Sequence, residues 1–581
     1  MLQPVKIPTP PRRWVPRGTA LDGTVAALHR SLRLPEPVCR LLVMRGFDDE
    51  AAAKHYLRPR LDQLHDPFEM AGMEAAVERL NTALRRGETI LVHGDYDVDG
   101  IVSTTLYTRV LRALGGRVEP FVPHRMTDGY DLGPAGLARA REVGASLILT
   151  GDCGILAHDA IAEASAAGID VIVTDHHTPG ERLPPAAAVV NPNRSDCAYP
   201  AKGLAGAGVA FKLCWALHSA RGEDPEPLLY HLDLVSLATV ADLAPLVGEN
   251  RAIVRYGLRV LSQTQNPGLR ALLRRSGLAD RGGELTAGQV GHVLAPRINA
   301  VGRMSEAALG VQLLLTESEV EADRIAERLE DENRRRQTVD RQTLAEALEM
   351  LERDYDPERD RVVVLAGAGW HPGVIGIVAS RVVERIHRPT VLVALDPAGG
   401  PSRGSARSIR GFHLYEALHH CGEYLERYGG HKAAAGLDIR PERIDAFREA
   451  LNAYAHEVLS PEDLVAEVAV DVEVRLPDAN EELYRMLRHF GPFGVGNPTP
   501  VLVARGVGLA RRPRVVGDGH LKVELEQDGV RLGGIGFRMA DRLNPLELSG
   551  QPLDVAFQLE ENHWNGRTEL QARLVDLRPA R

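Results

Sequence analysis

The sequence is poor in the features that mark secreted and membrane proteins. Its five cysteines, Cys39, Cys153, Cys197, Cys214 and Cys421, are scattered without a CxxC spacing, which argues against a disulfide framework and a structural zinc site. No run of about 18 apolar residues occurs, so no membrane span is expected. The N-terminal MLQPVKIPTPPRRW lacks the apolar core of a signal peptide. We therefore expect a cytoplasmic protein without a membrane partner.

Lysine is scarce as well, so the basic residues are almost all arginine. The planar guanidinium group suits bidentate contacts with phosphate, although a genome-wide codon bias explains the imbalance equally well. The net charge of −10 argues against a nucleic-acid partner. That argument loses its force if the acidic residues are concentrated in a site where metal ions neutralise them.

The 581 residues predict several domains. From about residue 75, short apolar runs alternate with helical patterns. The runs are TILVH (89–93), VEPFVP (118–123), SLILT (146–150), VIVT (171–174) and AAVVN (187–191). Because they are continuous rather than alternating, they are typical of parallel strands buried on both faces. Strand and helix in repeated succession predict a doubly wound α/β domain.

The second half of the chain shows three further patterns. Residues 316–356 contain neither glycine nor proline and predict a long helix, either an interdomain connector or a solvated surface helix. Another α/β segment begins at residue 361. From about 461, short strands with Gly and Asn turns predict a small β-barrel of the oligonucleotide-binding kind. The predicted segments are 1–60 (arm and short helices), 61–315, 316–356, 357–460 and 461–581.

Acidic and histidine residues follow the predicted strands of the first α/β domain. They are His93, Asp97 and Asp99 after the first strand, Asp152 after SLILTG, and Asp175, His176 and His177 after VIVT. Because ligands bind at the carboxyl ends of parallel strands, we expect these side chains to converge. Asp242 lies in an otherwise apolar helical pattern, LDLVSLATVADLAPL, where a carboxylate must be paired, hydrogen-bonded or metal-bound.

The stretch HGDYDVDGIVSTT (93–105) allows three interpretations. It matches the opening of a calcium-binding EF-hand loop, but the required glutamate is replaced by Leu106. Asp99 alone could cap the helix that begins near Gly100, which leaves the other aspartates unexplained. Carboxylates with imidazole suit Mn²⁺, Mg²⁺ or Zn²⁺, and two such ions about 3.5–4 Å apart cleave phosphate esters. The joint pattern favours this third interpretation.

Four of these motifs resemble those of the DHH phosphoesterase superfamily: HGDYDVDG, TGDCG, TDHH and ATVADLAPL. GWHPGVIG, GSARS and YGGHKAAAG are similar to its associated C-terminal domain. The whole arrangement, including PRINAVGRM, NRRRQ and FGVGNPTPV, is most similar to its bacterial single-strand-specific exonucleases. The resemblance extends from about residue 40 onward.

The resemblance implies an α/β DHH domain over 61–315, a connecting helix, a DHH-associated substrate-binding domain and an OB-like single-strand-binding barrel. It implies 5′-to-3′ degradation of single-stranded DNA to nucleotides, in recombination and repair, with two divalent cations, Mn²⁺ or Mg²⁺. The implied partners are single-stranded DNA with a 5′ end, single-strand-binding protein and a RecQ-type helicase. The protein is expected to be a monomer.

The resemblance also implies roles for individual residues. One ion is held by His93, Asp97 and Asp152, and the other by Asp99, Asp152, His176 and Asp242, so Asp152 bridges the two. His177 contacts the scissile phosphate, Asp175 takes part in catalysis by orienting ligands, and Asp95 supports the ligands in the same way. Substrate phosphate is bound by Arg125, Arg303, Ser405, Arg407 and His431. The glycine next to Ser405 fits this role, because small residues let backbone amides approach a phosphate. The plainer alternatives are a surface charge for each arginine and a turn residue for His431.

Other functions remain to be weighed against this one. DHH phosphodiesterases that act on short RNA or small nucleotides are shorter and lack the barrel. A non-catalytic scaffold would be expected to lose metal ligands, and none is lost here. A DHH pyrophosphatase ends in a smaller domain without GSARS and GGH.

Overall fold

The computed structural model describes residues 12–125, 127–129, 131–281, 283–304, 306–540, 550–564 and 567–580. The chain forms two compact units. We call Arg58–Arg335 with Gly491–Pro498 the parallel-sheet unit, and Met1–Leu57, Arg336–Phe490 and Thr499–Arg581 the barrel unit. No helix in the described ranges combines the length and the apolar character needed to cross a membrane.

The N-terminal segment of the barrel unit contains one strand and three short helices. They are β1 (Arg12–Pro16), α1 (Asp22–Leu32), α2 (Glu36–Met44) and α3 (Glu50–Leu57). The sequence predicts the helices, but it predicts no strand in the Pro/Arg-rich arm. The strand forms because its partner lies more than 400 residues further along the chain, as described below.

The parallel-sheet unit is built around five parallel strands. They are β2 (Thr89–Gly94), β3 (Arg117–Phe121), β4 (Leu147–Gly151), β5 (Asp170–Thr174) and β6 (Ala188–Val190). Their order in the sheet is β3-β2-β4-β5-β6. Leu91, Val92, Ile148 and Leu149 are fully buried, because helices cover both faces of the sheet. The doubly wound parallel sheet expected from the apolar runs is confirmed.

Helices occupy most of the remaining chain in this unit. They are α4 (Met73–Arg86), α5 (Val98–Ala113), α6 (Pro134–Glu142), α7 (His158–Ala166), α8 (Gly206–Ala220), α9 (Leu232–Ala241), α10 (Gly248–Ser262), α11 (Pro267–Arg275), α12 (Ala287–Gln289), α13 (Ala295–Met304) and α14 (Ala308–Leu315). A π-helical turn, Val290–Leu294, joins α12 to α13. The long α15 (Glu319–Asp354) follows the predicted connecting stretch closely and passes from one unit to the other.

The barrel unit continues with a five-stranded mixed sheet. Its elements are β7 (Val363–Ala368), α16 (Ile375–Ile386), β8 (Thr390–Leu395), β9 (Ser402–Arg407), α17 (Leu414–His420), β10 (Arg427–Gly430), β11 (Ala434–Ile439) and α18 (Ile444–Val458). The strand order is β10-β11-β9-β8-β7. Only β7 and β8 are parallel, since the other neighbours are joined as antiparallel pairs.

The C-terminal strands form the expected barrel. The elements are β12 (Ala466–Val470), β13 (Val472–Glu473), α19 (Glu481–Arg488), β14 (Leu502–Leu509), β15 (Arg514–Val516), β16 (His520–Gln527), β17 (Val530–Gly536), β18 (Leu553–Trp564) and β19 (Arg567–Pro579). The sheet order is β13-β14-β18-β19-β17-β16-β15, and an additional β14–β16 pairing closes the ring. The OB-like fold is thus confirmed.

Strand β1 is attached to the barrel through Trp14. β1 pairs in parallel with β12, with Trp14 opposite Val468. The Trp14 Nε1–H donates to Asp576 Oδ2 over 2.6 Å, and the Arg578 guanidinium carbon lies 4.0 Å from the centroid of the indole ring. The N-terminal strand is therefore held to β19 by a hydrogen bond and a cation–π contact.

Replacing Trp14 should loosen β19. We expect Trp14→Ala to lower the free energy of opening of β19 by about 2–3 kcal/mol, since ring packing and both contacts are lost. Trp14→Phe keeps a ring beneath Arg578 and should cost only about 1 kcal/mol. Hydrogen exchange of β19 peptides measures the change. The matched control is Arg13→Ala, which removes only a solvent-exposed ion pair with Glu467. Equal protection in all three variants would contradict the contact.

Candidate metal centre

Three neighbouring strands deliver the motif residues to one edge of the parallel sheet. His93 pairs with Thr150, and Gly94 pairs with Gly151, so β2 and β4 end side by side. The chain turns sharply after β4, where Asp152 adopts a left-handed backbone with φ 66°. The backbone N–H of Asp152 donates to the Thr174 carbonyl at the end of β5. The expected convergence at the carboxyl ends of the strands is present.

The aspartates of the first motif cap two different helices. Asp97 Oδ1 accepts from the backbone N–H groups of Asp99 and Gly100 over 2.9 and 3.2 Å, so Asp97 caps α5. Asp99 instead accepts from Gly206 and Ala207 over 2.6 and 2.8 Å, at the start of α8. The interpretation that Asp99 caps the helix after it is therefore wrong. Asp99 stabilises a helix that begins more than 100 residues later, which no local pattern indicates.

Carboxylate and imidazole atoms come together in three groups within ion-binding distance. The groups are Asp95, Asp97 and Asp152; Asp99, His176 and Asp242; and Asp152, His176 and His177. His176 Nε2 lies 3.0 Å from Asp152 Oδ1 and 3.8 Å from both Asp99 Oδ2 and Asp242 Oδ2. Asp152 and His176 each belong to two groups, so neighbouring ion sites would share ligands.

Asp242 reaches this cluster from the end of a helix. The sequence pattern places it inside a helix, whereas α9 ends at Ala241 and Asp242 is the C-terminal cap. The chain leaves the helix through Leu243, which has φ 59°. The periodic apolar residues continue past this turn, and for that reason the sequence does not reveal where the helix ends.

The TDHH turn is organised by Asp175. Its Oδ1 accepts from the backbone N–H of His176 and His177 over 2.7 and 3.0 Å, and it lies 2.7 Å from His177 Nδ1. Its Oδ2 accepts from Ile155 N. Burial alone would lower the pKa of His177, but hydrogen bonding to Asp175 and its charge raise that pKa to about 9. The same contacts outweigh burial and lower the pKa of Asp175.

The other carboxyl groups of the cluster lie close to one another, and most of them are buried. Burial raises the pKa values of Asp95, Asp99 and Asp152 well above the usual range, and neighbouring carboxylates add to the effect. Burial and the charge of Asp97 raise the pKa of Asp242 to about 7. A bound divalent cation would offset both the cost of burial and the repulsion between carboxylates, because it stabilises the ionised form of every carboxylate that contacts it.

Unpartnered polar atoms also fit a metal ion. Among the buried side-chain atoms of the described residues, Asp95 Oδ1, Asp152 Oδ1 and His176 Nε2 have no hydrogen-bond partner. Asp152 Oδ1 and His176 Nε2 lie 3.0 Å apart, but their geometry is not that of a hydrogen bond. Burial, followed by the charge of His177, lowers the pKa of His176 to about 4, so its imidazole is neutral, as metal ligation requires. Hard oxygen donors with imidazole suit Mn²⁺ or Mg²⁺.

His93 lies outside the three groups. Its Nδ1 is 3.6 Å from Cys153 Sγ, and its ring centroid is 5.3 Å from that of Phe121. A Cβ on Gly136 would lie 2.7 Å from His93 Nε2, so the helix α6 packs directly on the ring. Among the described residues, Asp95 rather than His93 stands beside Asp97 and Asp152.

Several residues that shape the centre are absent from the sequence-based prediction. Asn191 Nδ2 donates to the His177 carbonyl over 2.9 Å, and Asn193 Nδ2 donates to the His176 carbonyl over 2.5 Å. Both asparagines follow β6, so the rule that selects aspartates after strands could have found them. Gly206 could not be found this way: a Cβ there would lie 2.8 Å from Asp152 Oδ1.

Two of the predicted phosphate-binding residues lie beside the first motif. The Arg125 guanidinium carbon is 5.0 Å from the centroid of the Tyr96 ring, and Tyr96 stands between Asp95 and Asp97. Arg303 follows Gly302, where a Cβ would lie 2.3 Å from the Tyr96 carbonyl oxygen. The structure therefore brings both arginines to the loop that carries the aspartates.

The other three lie in the barrel unit, at one end of its five-stranded sheet. Arg407 Nη1 donates to Ser405 Oγ over 3.1 Å. Arg407 pairs with Ala434 on β11, and the backbone N–H of His431 donates to the Ala434 carbonyl. A Cβ on Gly376, in the first turn of α16, would lie 2.8 Å from Arg407 Nη2. The missing side chain of Gly376 thus lets the half-buried guanidinium group pack against the N-terminal turn of this helix.

Three protein-family models match the chain. The model of the DHH family, N-terminal domain, covers residues 89–239, that of the DHHA1 domain covers 359–457, and that of the RecJ OB domain covers 470–576. The resemblance to the DHH phosphoesterases is thereby confirmed. The domain boundaries given above stay a prediction.

Relatives match along most of the chain. The single-stranded-DNA-specific exonuclease RecJ of Bacillus subtilis is 38% identical over 553 residues, which are 95% of this chain and 69% of that protein. The Dickeya dadantii protein of the same name is 39% identical over 570 residues, covering 94% of this chain and 96% of that one. A crystal structure of RecJ with Mn²⁺ from Thermus thermophilus superimposes with a TM-score of 0.82 at 36% identity, covering 98% of this chain and 80% of that one. The corresponding Mg²⁺ complex gives a TM-score of 0.77 at 34% identity, covering 98% and 79%. This chain belongs to the family of the single-stranded-DNA-specific exonuclease RecJ.

Proposed function

We propose that the protein is a metal-dependent exonuclease that removes nucleotides from the 5′ end of single-stranded DNA. The observation that carries the proposal is the sharing of Asp152 and His176 between adjacent ligand groups. Shared ligands would hold two cations close together, and paired divalent cations supply the chemistry for phosphodiester hydrolysis. The family relationship and the OB-like barrel support single-stranded DNA as the substrate.

Two divalent cations, Mn²⁺ or Mg²⁺, would be held by the clustered side chains. We assign Asp99, Asp152, His176 and Asp242 to one ion. For the other, the resemblance implies His93, Asp97 and Asp152, but the geometry favours Asp95 in place of His93. Among the described residues, the buried Asp95 Oδ1 has no hydrogen-bond partner, whereas His93 packs against Cys153 and Gly136.

Two cations bound by these residues would supply activation of a water molecule and stabilisation of the leaving oxygen of the scissile bond. The chain's own contribution begins with Asp175, which orients His177 through Nδ1. The imidazole held in this orientation would donate a hydrogen bond to the scissile phosphate. Asn191 and Asn193 fix the backbone on which both histidines stand.

Substrate phosphates would be bound by the arginine pair in the parallel-sheet unit, Arg125 and Arg303, and by Ser405, Arg407 and His431 in the barrel unit. Guanidinium groups and small-residue backbones favour such contacts. We further propose that the protein acts as a monomer in the cytoplasm, in recombination and repair. Single-strand-binding protein and a RecQ-type helicase are its proposed partners.

The proposed activity is tested with end-labelled oligonucleotides and Mn²⁺. Label should be released from the 5′ end of single-stranded DNA, with little attack on blunt duplex. Asp152→Asn should lower the rate by more than about 100-fold, because it weakens both ions at once. The control is Asp196→Asn, which alters an exposed carboxylate paired with Arg194. Release from the 3′ end, or faster turnover of diribonucleotides, would contradict the proposal.

The ligand assignment is tested by Mn²⁺ titration calorimetry. Asp95→Asn should weaken the affinity of one ion by about 10–100-fold, while His93→Gln should change it by less than about tenfold. Thermal unfolding of the metal-free protein detects any loss of folding in the His93 variant. If His93→Gln weakens binding more than Asp95→Asn in a folded protein, the assignment returns to His93.

The role of Arg407 in phosphate binding is tested through end preference. Arg407→Ala should reduce the preference for 5′-phosphorylated over 5′-hydroxyl ends by about tenfold, the value of one charge-assisted hydrogen bond. Arg403→Ala is the matched control, since Arg403 lies on the same strand and pairs with Asp438. An unchanged preference in Arg407→Ala would remove this residue from the phosphate site.

A further inference from the structure

The parallel-sheet unit contains a cavity of about 1090 Å³ that the proposed nuclease function does not use. Its walls are the C-terminal ends of α5, α10 and α14 together with the beginnings of α9 and α11. It shares no residue with the three ligand groups. Asp99 and Arg109 are ten residues apart on α5, or about 15 Å at 1.5 Å per residue. A molecule in the cavity would therefore not contact the metal ions.

Two arginines of α5 line this cavity. Arg109 Nη2 donates to the Leu314 carbonyl over 2.6 Å, and Arg112 Nη2 donates to the Val118 carbonyl over 2.8 Å. In the part of the chain that the structure describes, neither guanidinium forms an ion pair with a carboxylate. Burial lowers the pKa of the half-buried Arg109, although the charges of Asp233 and Glu317 act in the opposite direction. Partial desolvation of a cation is costly, and a ligand anion would reduce that cost.

The carboxyl groups of the cavity offset the charge of Arg109 only in part, since burial outweighs their effect on its pKa. Asp233 is buried and already bonded: Oδ1 accepts from Leu234 N over 2.7 Å, and Oδ2 accepts from Thr264 Oγ1 over 2.5 Å. Burial raises its pKa. Glu317 lies on the exposed rim, where solvent screens its charge. The interior of the cavity therefore favours an anion.

The remaining lining suits a flat, partly apolar group. Val260, Pro267 and Leu315 form an apolar wall, and Gln265 adds an exposed amide. Tyr230 stands at the mouth with 78% of its surface exposed, so its ring is available for stacking. Apolar walls with few polar groups are typical of small-molecule sites, and the volume exceeds what a nucleotide needs.

We propose that this cavity binds a nucleoside 5′-phosphate, a function that goes beyond the nuclease activity and does not depend on it. Arg109 and Arg112 are three positions apart on one helix. They therefore face the same side of that helix, with their Cβ atoms about 5–6 Å apart. Both guanidinium groups can therefore contact a single phosphate group. The base lies against the apolar wall and under the Tyr230 ring.

The proposal is tested by calorimetric titration of the full chain with AMP and dAMP in EDTA, where hydrolysis cannot occur. Wild type should bind with a Kd below about 1 mM. Arg112→Glu should weaken binding at least tenfold, because it places a negative charge beside the phosphate. The matched control is Arg86→Glu, the same change at an exposed arginine of α4, which should bind as wild type does.

Further titrations distinguish a nucleotide site in this cavity from a general anion site and from the metal centre. Tyr230→Ala, a change at an exposed residue, should weaken the binding of AMP while leaving the affinity for inorganic phosphate unchanged. Asp152→Asn should bind AMP normally, and its effect on nuclease activity is a separate outcome. The proposal is overturned if wild type does not bind, if Arg112→Glu binds AMP as tightly as Arg86→Glu, or if Asp152→Asn abolishes binding. Equal affinity for phosphate and AMP would indicate an adventitious ion only and would also overturn it.

Discussion

Mutual repulsion of buried carboxylates is the constraint on which the catalytic edge of this protein depends. Asp95, Asp99 and Asp152 are almost fully buried. Burial, followed by the charges of neighbouring carboxylates such as Asp97, raises the cost of ionising each of them. The fold offsets this cost where it can. Backbone N–H groups at helix N-termini donate hydrogen bonds to Asp97 and Asp99, and the His177 ring lies within hydrogen-bonding distance of Asp175. Buried oxygen and nitrogen atoms of the cluster remain without hydrogen-bond partners among the described residues, and bound metal ions would contact them.

Helix α8 shows how tightly the surrounding structure serves that edge. Its first two backbone N–H groups donate hydrogen bonds to the Asp99 carboxylate. Gly206 lets the helix approach Asp152 so closely that a Cβ at this position would clash with it. The loop that carries Asp97 is also held by a residue far along the chain, since Asn299 Oδ1 accepts a hydrogen bond from Val98 N. Asp97 and Asp99 are thus positioned by helices that start at the site.

The N-terminal strand follows a different rule, since it stabilises the barrel rather than the site. Trp14 has two polar or charged partners in β19, and the parallel pairing with β12 supplies the backbone hydrogen bonds. A small barrel has little core of its own. Contacts with an added strand therefore contribute a sizeable share of its stability.

The sequence by itself determined the strands of the parallel sheet, because continuous apolar runs separated by helical patterns are typical of parallel strands buried on both faces. It did not determine the order of those strands in the sheet. It also determined which acids meet, since residues that follow parallel strands share an edge. It did not determine which helix Asp99 caps, where α9 stops before Asp242, or whether Asp95 or His93 stands nearest Asp97. Nor did it reveal β1 or Gly206. Each of these depends on contacts between residues far apart in the chain, and distance in space between such residues is decided only when the elements pack.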